Sequence, residues 1–172
     1  MGLFKNIFGE KKAEAAISIN KPSPVFSLPD ENGNAVSLSD YSGKRDVMVF
    51  IIRGDFCPFC QMMLRTYQKE RERFAEKNIM LLSIAPGPIE TYHRIVKDMG
   101  LEYKVLCDTG LQITKTFGSL DEADKRMYPE GMPVPASFLI DKNGIIRFVS
   151  RADKAEEAFN ISGIFAALQM LN

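Results

Sequence analysis

The sequence predicts an α/β sandwich, one mixed β-sheet held between helices, and three observations carry that reading. Residues 47–52 form an unbroken apolar run, mostly β-branched, and 79–85 an apolar run broken only by Ser83; both are too short for helices, so they read as buried strands. Long amphipathic stretches, 58–77 and 89–99, alternate with them, the pattern of parallel strands joined by helical crossovers. Residues 136–140 and 145–150 flank Asp141-Lys142-Asn143-Gly144, a hairpin signal that requires antiparallel pairing.

In chain order, Pro22, Pro24 and Pro29 punctuate an extended lead-in. Glu31-Asn32-Gly33-Asn34 is a hairpin turn signal between strands 25–28 and 35–38. A loop over 39–44 leads to the central strand at 47–52. Gly54 and Asp55 break that strand, and Pro58 suits the first position of a helix, where a missing N–H costs nothing. Cys60, Met63, Leu64, Tyr67 and Phe74 then recur at helical spacing on one face. After the strand at 79–85, Pro86-Gly87-Pro88 stops the chain, and a helix over 89–99 ends at Gly100. A short strand over 103–107 and a short helix over 111–117 follow. Residues 119–131 are charged and irregular, and a terminal helix covers 156–171.

At 172 residues the chain suits one domain with a substantial core. Division falls between a tail or short amphipathic helix, residues 1–17, and a domain over 18–172. The tail's Leu3, Phe4, Ile7 and Phe8 offer a peripheral membrane contact as the sharper alternative to a plain surface segment. Twenty-two basic and 22 acidic residues balance, which gives no support to nucleic acid as a partner. No apolar run approaches the ~20 residues of a membrane helix. The N-terminus lacks the apolar core and small-residue cleavage site of a signal peptide, so the expected compartment is the cytoplasm. There, structural disulfides are rare, and a Cys-x-x-Cys is catalytic or metal-binding.

Cys57-Pro58-Phe59-Cys60 lies where the central strand hands over to the long helix. Helix N-termini carry unpaired N–H groups and the positive end of the macrodipole, both of which favour a thiolate. Such cysteines can titrate at ~3.5–7.5 instead of ~8.5. Two intervening residues let the pair close a small disulfide, one sulfur attacking a substrate and the other resolving the product. The competing reading is half of a zinc site. Zinc wants four ligands, and the other soft candidates, Cys107 and His93, are single, so neither metal nor cofactor is expected. Cys107 reads as a small buried hydrophobe, with distal resolution as its alternative role. His93 reads as a surface residue. Phe56 is expected to be packed, and Phe59 partly exposed so that it shapes access.

Three segments together resemble the AhpC/TSA peroxiredoxin-like group of the thioredoxin superfamily. They are the 22–28 lead-in, Phe50-Ile51-Ile52-Arg53-Gly54-Asp55-Phe56-Cys57-Pro58-Phe59-Cys60, and Met132-Pro133-Val134-Pro135-Ala136-Ser137-Phe138-Leu139-Ile140-Asp141 with its Asn-Gly turn. The resemblance covers roughly residues 19–172. It implies a thioredoxin-like, peroxiredoxin-type sandwich with an N-terminal hairpin extension. It also implies a thioredoxin- or glutathione-type reductant and a disulfide or hydroperoxide substrate.

The sequence departs from the peroxiredoxin pattern Pro-x-x-x-Thr-x-x-Cys. Cys60 matches the peroxidatic cysteine, but Cys57 takes the Thr position and Arg53 the Pro position. Pro135 stands where a later strand supplies an Arg. Each change moves the site toward thioredoxin, in which Cys57 attacks. The buried Asp of thioredoxin is here Ile51, so no proton acceptor is identifiable. In thioredoxin-like proteins the proline matching Pro135 is cis. The resemblance therefore implies a cis Val134–Pro135 bond that faces the dithiol and presents the Val134 backbone to substrate. The expected site is Cys57 and Cys60 as the redox pair, with Arg53, Phe56, Pro58, Phe59, Val134 and Pro135 around the substrate. The alternatives are a hydroperoxide reductase with Cys60 peroxidatic and Cys57 resolving, and a non-catalytic thioredoxin-fold binding module.

Overall fold

The computed structural model describes residues 17–151 and 161–170. The tail residues 1–16, with Leu3, Phe4, Ile7 and Phe8, lie outside them, as does the 156–160 start of the expected terminal helix.

The fold is organised on β3, Asp46–Ile51. This strand pairs in parallel with β4 (Ile79–Ala85), which pairs in parallel with β5 (Lys104–Cys107). On its other side β3 pairs antiparallel with β8 (Ala136–Ile140), and β8 with β9 (Ile146–Arg151). The sheet order is β5-β4-β3-β8-β9. Central placement explains the composition of β3, because a strand covered on both faces has no solvated side on which to alternate. Met48, Phe50 and Ile52 face one core cluster; Val47, Val49 and Ile51 face the other.

The first cluster is closed by α1 (Pro58–Glu76), α2 (Ile89–Met99) and α4 (Ile161–Met170). The second is covered by the hairpin of β1 (Ser27–Pro29) and β2 (Ala35–Ser37), and by Phe117 just after α3 (Gln112–Thr116). Two short elements escaped the sequence reading. They are a 3-10 turn over Leu38–Tyr41 and a two-residue ladder of β6 (Leu120–Asp121) with β7 (Met132–Pro133). Neither is long enough to leave a periodicity.

Both hairpin turns use one device. Asp30 Oδ1 accepts the N–H groups of Asn32 and Asn34, and Asp141 Oδ1 those of Asn143 and Ile145. The turns close through Gly33 and Gly144, at φ 82° and 80°, a conformation glycine adopts without steric cost.

Helix α1 buries the face that its spacing indicates: Cys60, Met63, Leu64, Tyr67 and Phe74. Each such side chain contributes on the order of 1.5–3 kcal/mol of burial. Aromatic contacts then set its position on the sheet. Tyr67 stacks on Phe50 with ring centroids 3.9 Å apart, and its hydroxyl shares a 2.8 Å hydrogen bond with Ser137 Oγ on β8. The Tyr103 hydroxyl donates to the Leu64 carbonyl at 2.7 Å. These ties hold the N-terminus of α1 over the end of β3.

Candidate active site

Between β3 and α1 the chain turns within a few residues. Ile52 extends the sheet by donating its N–H to the Ile84 carbonyl at 3.0 Å. Gly54 then bends at φ 156°, and a Cβ there would stand 2.6 Å from the Phe56 ring and 2.9 Å from the Tyr128 hydroxyl. Gln61 braces the turn by donating to the Asp55 carbonyl at 2.8 Å. Cys57 takes the N-cap position with extended backbone, φ −89° and ψ 114°. Pro58 follows at the first helical position, as its missing N–H favours.

This arrangement makes the two thiols unequal. Cys57 retains 5% exposure at the mouth of the helix, whereas Cys60, one turn in, has none. The Arg53 N–H donates to Cys60 Sγ at 3.2 Å. Burial nevertheless dominates and pushes the Cys60 thiol up to about 12. A hydrogen bond with Cys57 pushes in the same direction, by keeping the proton on Cys60. The expectation that a helix N-terminus favours the thiolate is thus reversed at Cys60. Loss of hydration in the core outweighs the Arg53 backbone donor.

A labelling order follows. With the folded protein in excess thiol-alkylating reagent at neutral pH, Cys57 should react first. Cys60 should stay unmodified until pH rises toward its raised range, or until the chain unfolds, because its thiolate fraction below that range is minute. Time-resolved peptide mass mapping checks this, and early modification of Cys60 would contradict the picture.

Around the pair, Arg53 is half-buried, and its Nε donates to the Pro133 carbonyl at 3.4 Å. The guanidinium thus ties the strand-to-helix turn to the segment before β8. The Ile51–Ala136 pairing brings that segment alongside Arg53. The implied cis Val134–Pro135 bond is corrected: all peptide bonds among the described residues are trans. Val134 donates its N–H to the Ser119 carbonyl at 2.7 Å, Met132–Pro133 are held in a ladder, and Ala136 begins β8. The backbone therefore runs extended through the proline, the state its preceding residue prefers. Pro135 is buried and Val134 half-buried.

Phe56 is a second correction. It is 44% exposed, not packed, because Ile52 and Cys60 already fill the core beneath the turn and its ring lies over Gly54. Phe59, 38% exposed, flanks the cysteines as expected.

Cys107 is buried, with its thiol pushed up to about 11 by burial and then by the nearby charges of Glu31 and Asp30. His93 is exposed, and its Nδ1 pairs with Asn32 Oδ1 at 3.2 Å. Among the described residues no group of three or more His, Cys, Asp or Glu could hold a metal ion. No helix there is long and apolar enough to cross a membrane.

Two tyrosines beside the site were not legible in the sequence. Tyr128, from the irregular 119–131 segment, brings its hydroxyl over Gly54. Burial, Asp55 and Cys60 together push it up to about 12. Tyr92, on α2, is fully buried in the cluster that contains Cys57 and Cys60. Neither residue lies in a motif, and only the fold brings them to the dithiol.

Among known proteins, the chain is 25% identical over 133 residues to putative peroxiredoxin Q, chloroplastic, of Oryza sativa subsp. indica, covering 77% of this chain and 58% of that protein. The chain thus spans less than two thirds of the length of that relative. A putative peroxiredoxin of Mycobacterium tuberculosis is 28% identical over 126 residues, 72% of this chain and 78% of that one. Thiol-disulfide oxidoreductase ResA of Bacillus thuringiensis is 26% identical over 145 residues, 84% and 76%. The fold is shared with peroxidoxin BcpB of Mycobacterium tuberculosis, at a TM-score of 0.77 and 18% identity, covering 90% of this chain and 97% of that one. It is also shared with a thiol peroxidase of Chromobacterium violaceum, at 0.78 and 18%, covering 90% and 87%. The family model for AhpC/TSA matches residues 19–149, which hold the whole strand-turn-helix site and most of the sheet. The chain belongs to the AhpC/TSA family.

Proposed function

We propose that the chain is a thiol-based oxidoreductase with an antioxidant-type role, cycling Cys57 and Cys60 between dithiol and disulfide. The observation that carries this reading is the asymmetry of the pair. Cys57 caps the helix and keeps some exposure, and the fully buried Cys60 sits one turn in, where burial favours its protonated form. Cys57 attacks one sulfur of a substrate disulfide, and the other sulfur leaves with the electron pair. Cys60 then gives up its proton and attacks Cys57 Sγ, which releases the second substrate sulfur and closes the Cys57–Cys60 bond. A thioredoxin- or glutathione-type dithiol or thiol pair returns two electrons.

The substrate contacts of this reading are Arg53, Phe56, Pro58 and Phe59, which flank Cys57 in the chain, with Val134 and Pro135 next to the Pro133 carbonyl that Arg53 reaches. The names of the relatives, peroxiredoxin and thiol-disulfide oxidoreductase, support chemistry of this class. A cytoplasmic location suits a Cys-x-x-Cys that cycles rather than staples the fold, because structural disulfides are rare there.

A second reading, peroxide reduction at Cys60 with Cys57 resolving, is favoured by the Arg53 N–H that donates to the Cys60 sulfur. It is opposed by burial that keeps that sulfur protonated. Purified protein with thioredoxin or glutathione, assayed in parallel for insulin disulfide reduction and peroxide consumption, separates the two. Insulin reduction is expected to dominate. Fast peroxide turnover with slow insulin reduction would establish the second reading. Inactivity in both assays, with a disulfide resistant to reductant, would make the chain a binding module.

A further inference from the structure

The end of the sheet opposite the dithiol carries a cavity that the proposed cycle does not use. Cys57 lies beyond the last residue of β3, whereas this cavity, of about 530 Å³, opens at its first, Asp46. Its walls are the chain entering β3, the turn from α1 to β4 and the turn from β8 to β9. Five cationic residues line it, Lys44, Arg45, Lys77, Lys142 and Arg147, against two acidic ones, Asp46 and Asp141. In a chain whose 22 basic and 22 acidic residues balance, that is a local excess of positive charge.

Both carboxylates are already engaged. Asp141 accepts the Asn143 and Ile145 N–H groups with one oxygen and Arg147 Nε, at 2.7 Å, with the other. Asp46 accepts the Lys142 N–H at 2.8 Å. The remaining cations meet neutral oxygens or none. Lys44 Nζ donates to the Asp40 carbonyl at 2.9 Å, and Arg45 donates through Nε and Nη2 to Asn78 Oδ1 at 3.3 and 3.2 Å. The Lys77 and Lys142 ammonium groups have no partner among the described residues. Lys77 closes α1, where the negative end of the helix favours a cation.

The walls are braced against one another. Asn78 follows α1 at φ 56°, where glycine is usual and asparagine is tolerated. Its amide holds Arg45 and also donates to the Lys44 carbonyl at 3.0 Å, while the Gly43 N–H donates to the Lys142 carbonyl at 2.8 Å. Three loops are thus cross-tied around the cavity, so its shape is set before a ligand arrives. Arg45, Asp141 and Lys142 also line a second cavity, of about 170 Å³, which Val25, Leu38, Tyr41 and Val47 make apolar. Val25 is 84% exposed there, an apolar side chain without cover.

We propose that the two cavities form one site for a phosphorylated small molecule, a diphosphate ester of a compact apolar group. Its phosphates lie among Lys44, Arg45 and Lys142, and its apolar group lies against Val25 and Tyr41. The excess of three cationic residues matches the charge of a diphosphate monoester near neutral pH. The bonds to Asn78 leave Arg45 Nη1 to donate to a phosphate oxygen. The larger cavity falls within the ~300–1,000 Å³ of small-molecule sites. A nucleic-acid backbone would meet the cations and leave the apolar cavity empty. The site stands apart from the dithiol cycle and does not rest on it.

Calorimetric titration of the full chain at low ionic strength, with inorganic pyrophosphate, ADP and 3-methylbutyl diphosphate, tests this. At least one ester should bind about 5-fold or more tighter than pyrophosphate, because it adds a buried apolar group. Which ester does so tells a nucleoside from an alkyl group. Lys142→Glu removes an exposed cation with no side-chain partner and should weaken that ester roughly 10-fold to 100-fold. Val25→Asn should weaken it about 3-fold to 10-fold and leave pyrophosphate unaltered. The proposal is overturned if no ligand binds at millimolar concentration, if neither ester exceeds pyrophosphate, or if either folded variant binds the ester as wild type does. The comparison of ligands on the wild-type chain decides the matter even where a variant is unstable.

Discussion

Cys60→Ser protein, incubated with a disulfide substrate, should accumulate a mixed disulfide on Cys57, and Cys57→Ser should accumulate almost none. The inner sulfur closes the cycle, so its removal strands the intermediate. The outer sulfur opens the cycle, so its removal prevents it. Loss of a nucleophile abolishes turnover nearly completely, and at least a roughly 1,000-fold fall in disulfide exchange is expected for Cys57→Ser. Serine is close in shape, and Cys57 sits at an N-cap where serine is itself a favoured residue, so the fold should survive. Non-reducing electrophoresis with mass mapping reads the result. Should Cys57→Ser instead gather a sulfenate on Cys60 with rapid peroxide consumption, the two sulfurs have exchanged roles and peroxide is the substrate.

Phe50→Ala should cost about 3–5 kcal/mol of stability, the range for removing a fully buried phenylalanine. That is a large part of the ~5–15 kcal/mol of a typical domain. Phe50 lies near the C-terminal end of β3, stacks on Tyr67 at 3.9 Å and meets Tyr103 edge-on at 5.6 Å. Tyr67 also ties α1 to Ser137 on β8, and Tyr103, just before β5, donates to the Leu64 carbonyl of α1. The cavity would therefore loosen the seat of the helix that carries the dithiol, and exchange activity should fall along with stability. Urea unfolding at matched temperature measures the loss. A change below about 1 kcal/mol would mean that the aromatic cluster does not anchor α1.

The strands, the long helices and the location of the redox pair were readable in the linear chain because their signals are local. A short apolar run declares a strand covered on both faces, as at 47–52 in β3 and, broken only by Ser83, in β4. A 3.6-residue period declares the buried face of α1. Asn-Gly and Gly100 declare turns and a helix end through the backbone conformations they permit. Cys57 and Cys60 announce themselves by spacing, and Pro58 shows that they open a helix.

What the chain alone left undecided depends on residues far apart in sequence. Whether Cys60 keeps its proton is set by how much protein covers it, and that cover comes from three helices and the sheet. Phe56 lies outside because others already fill the space beneath it. Val134–Pro135 runs trans because Ser119 and the β6–β7 ladder hold the approach to β8 extended. Tyr92 and Tyr128, 35 and 71 residues beyond Cys57, join the core cluster of the dithiol and the Gly54 turn, respectively, only through tertiary packing. Hydration, cover and convergence are properties of the packed molecule, because electrostatic free energies depend on distances in space that no local pattern of residues encodes.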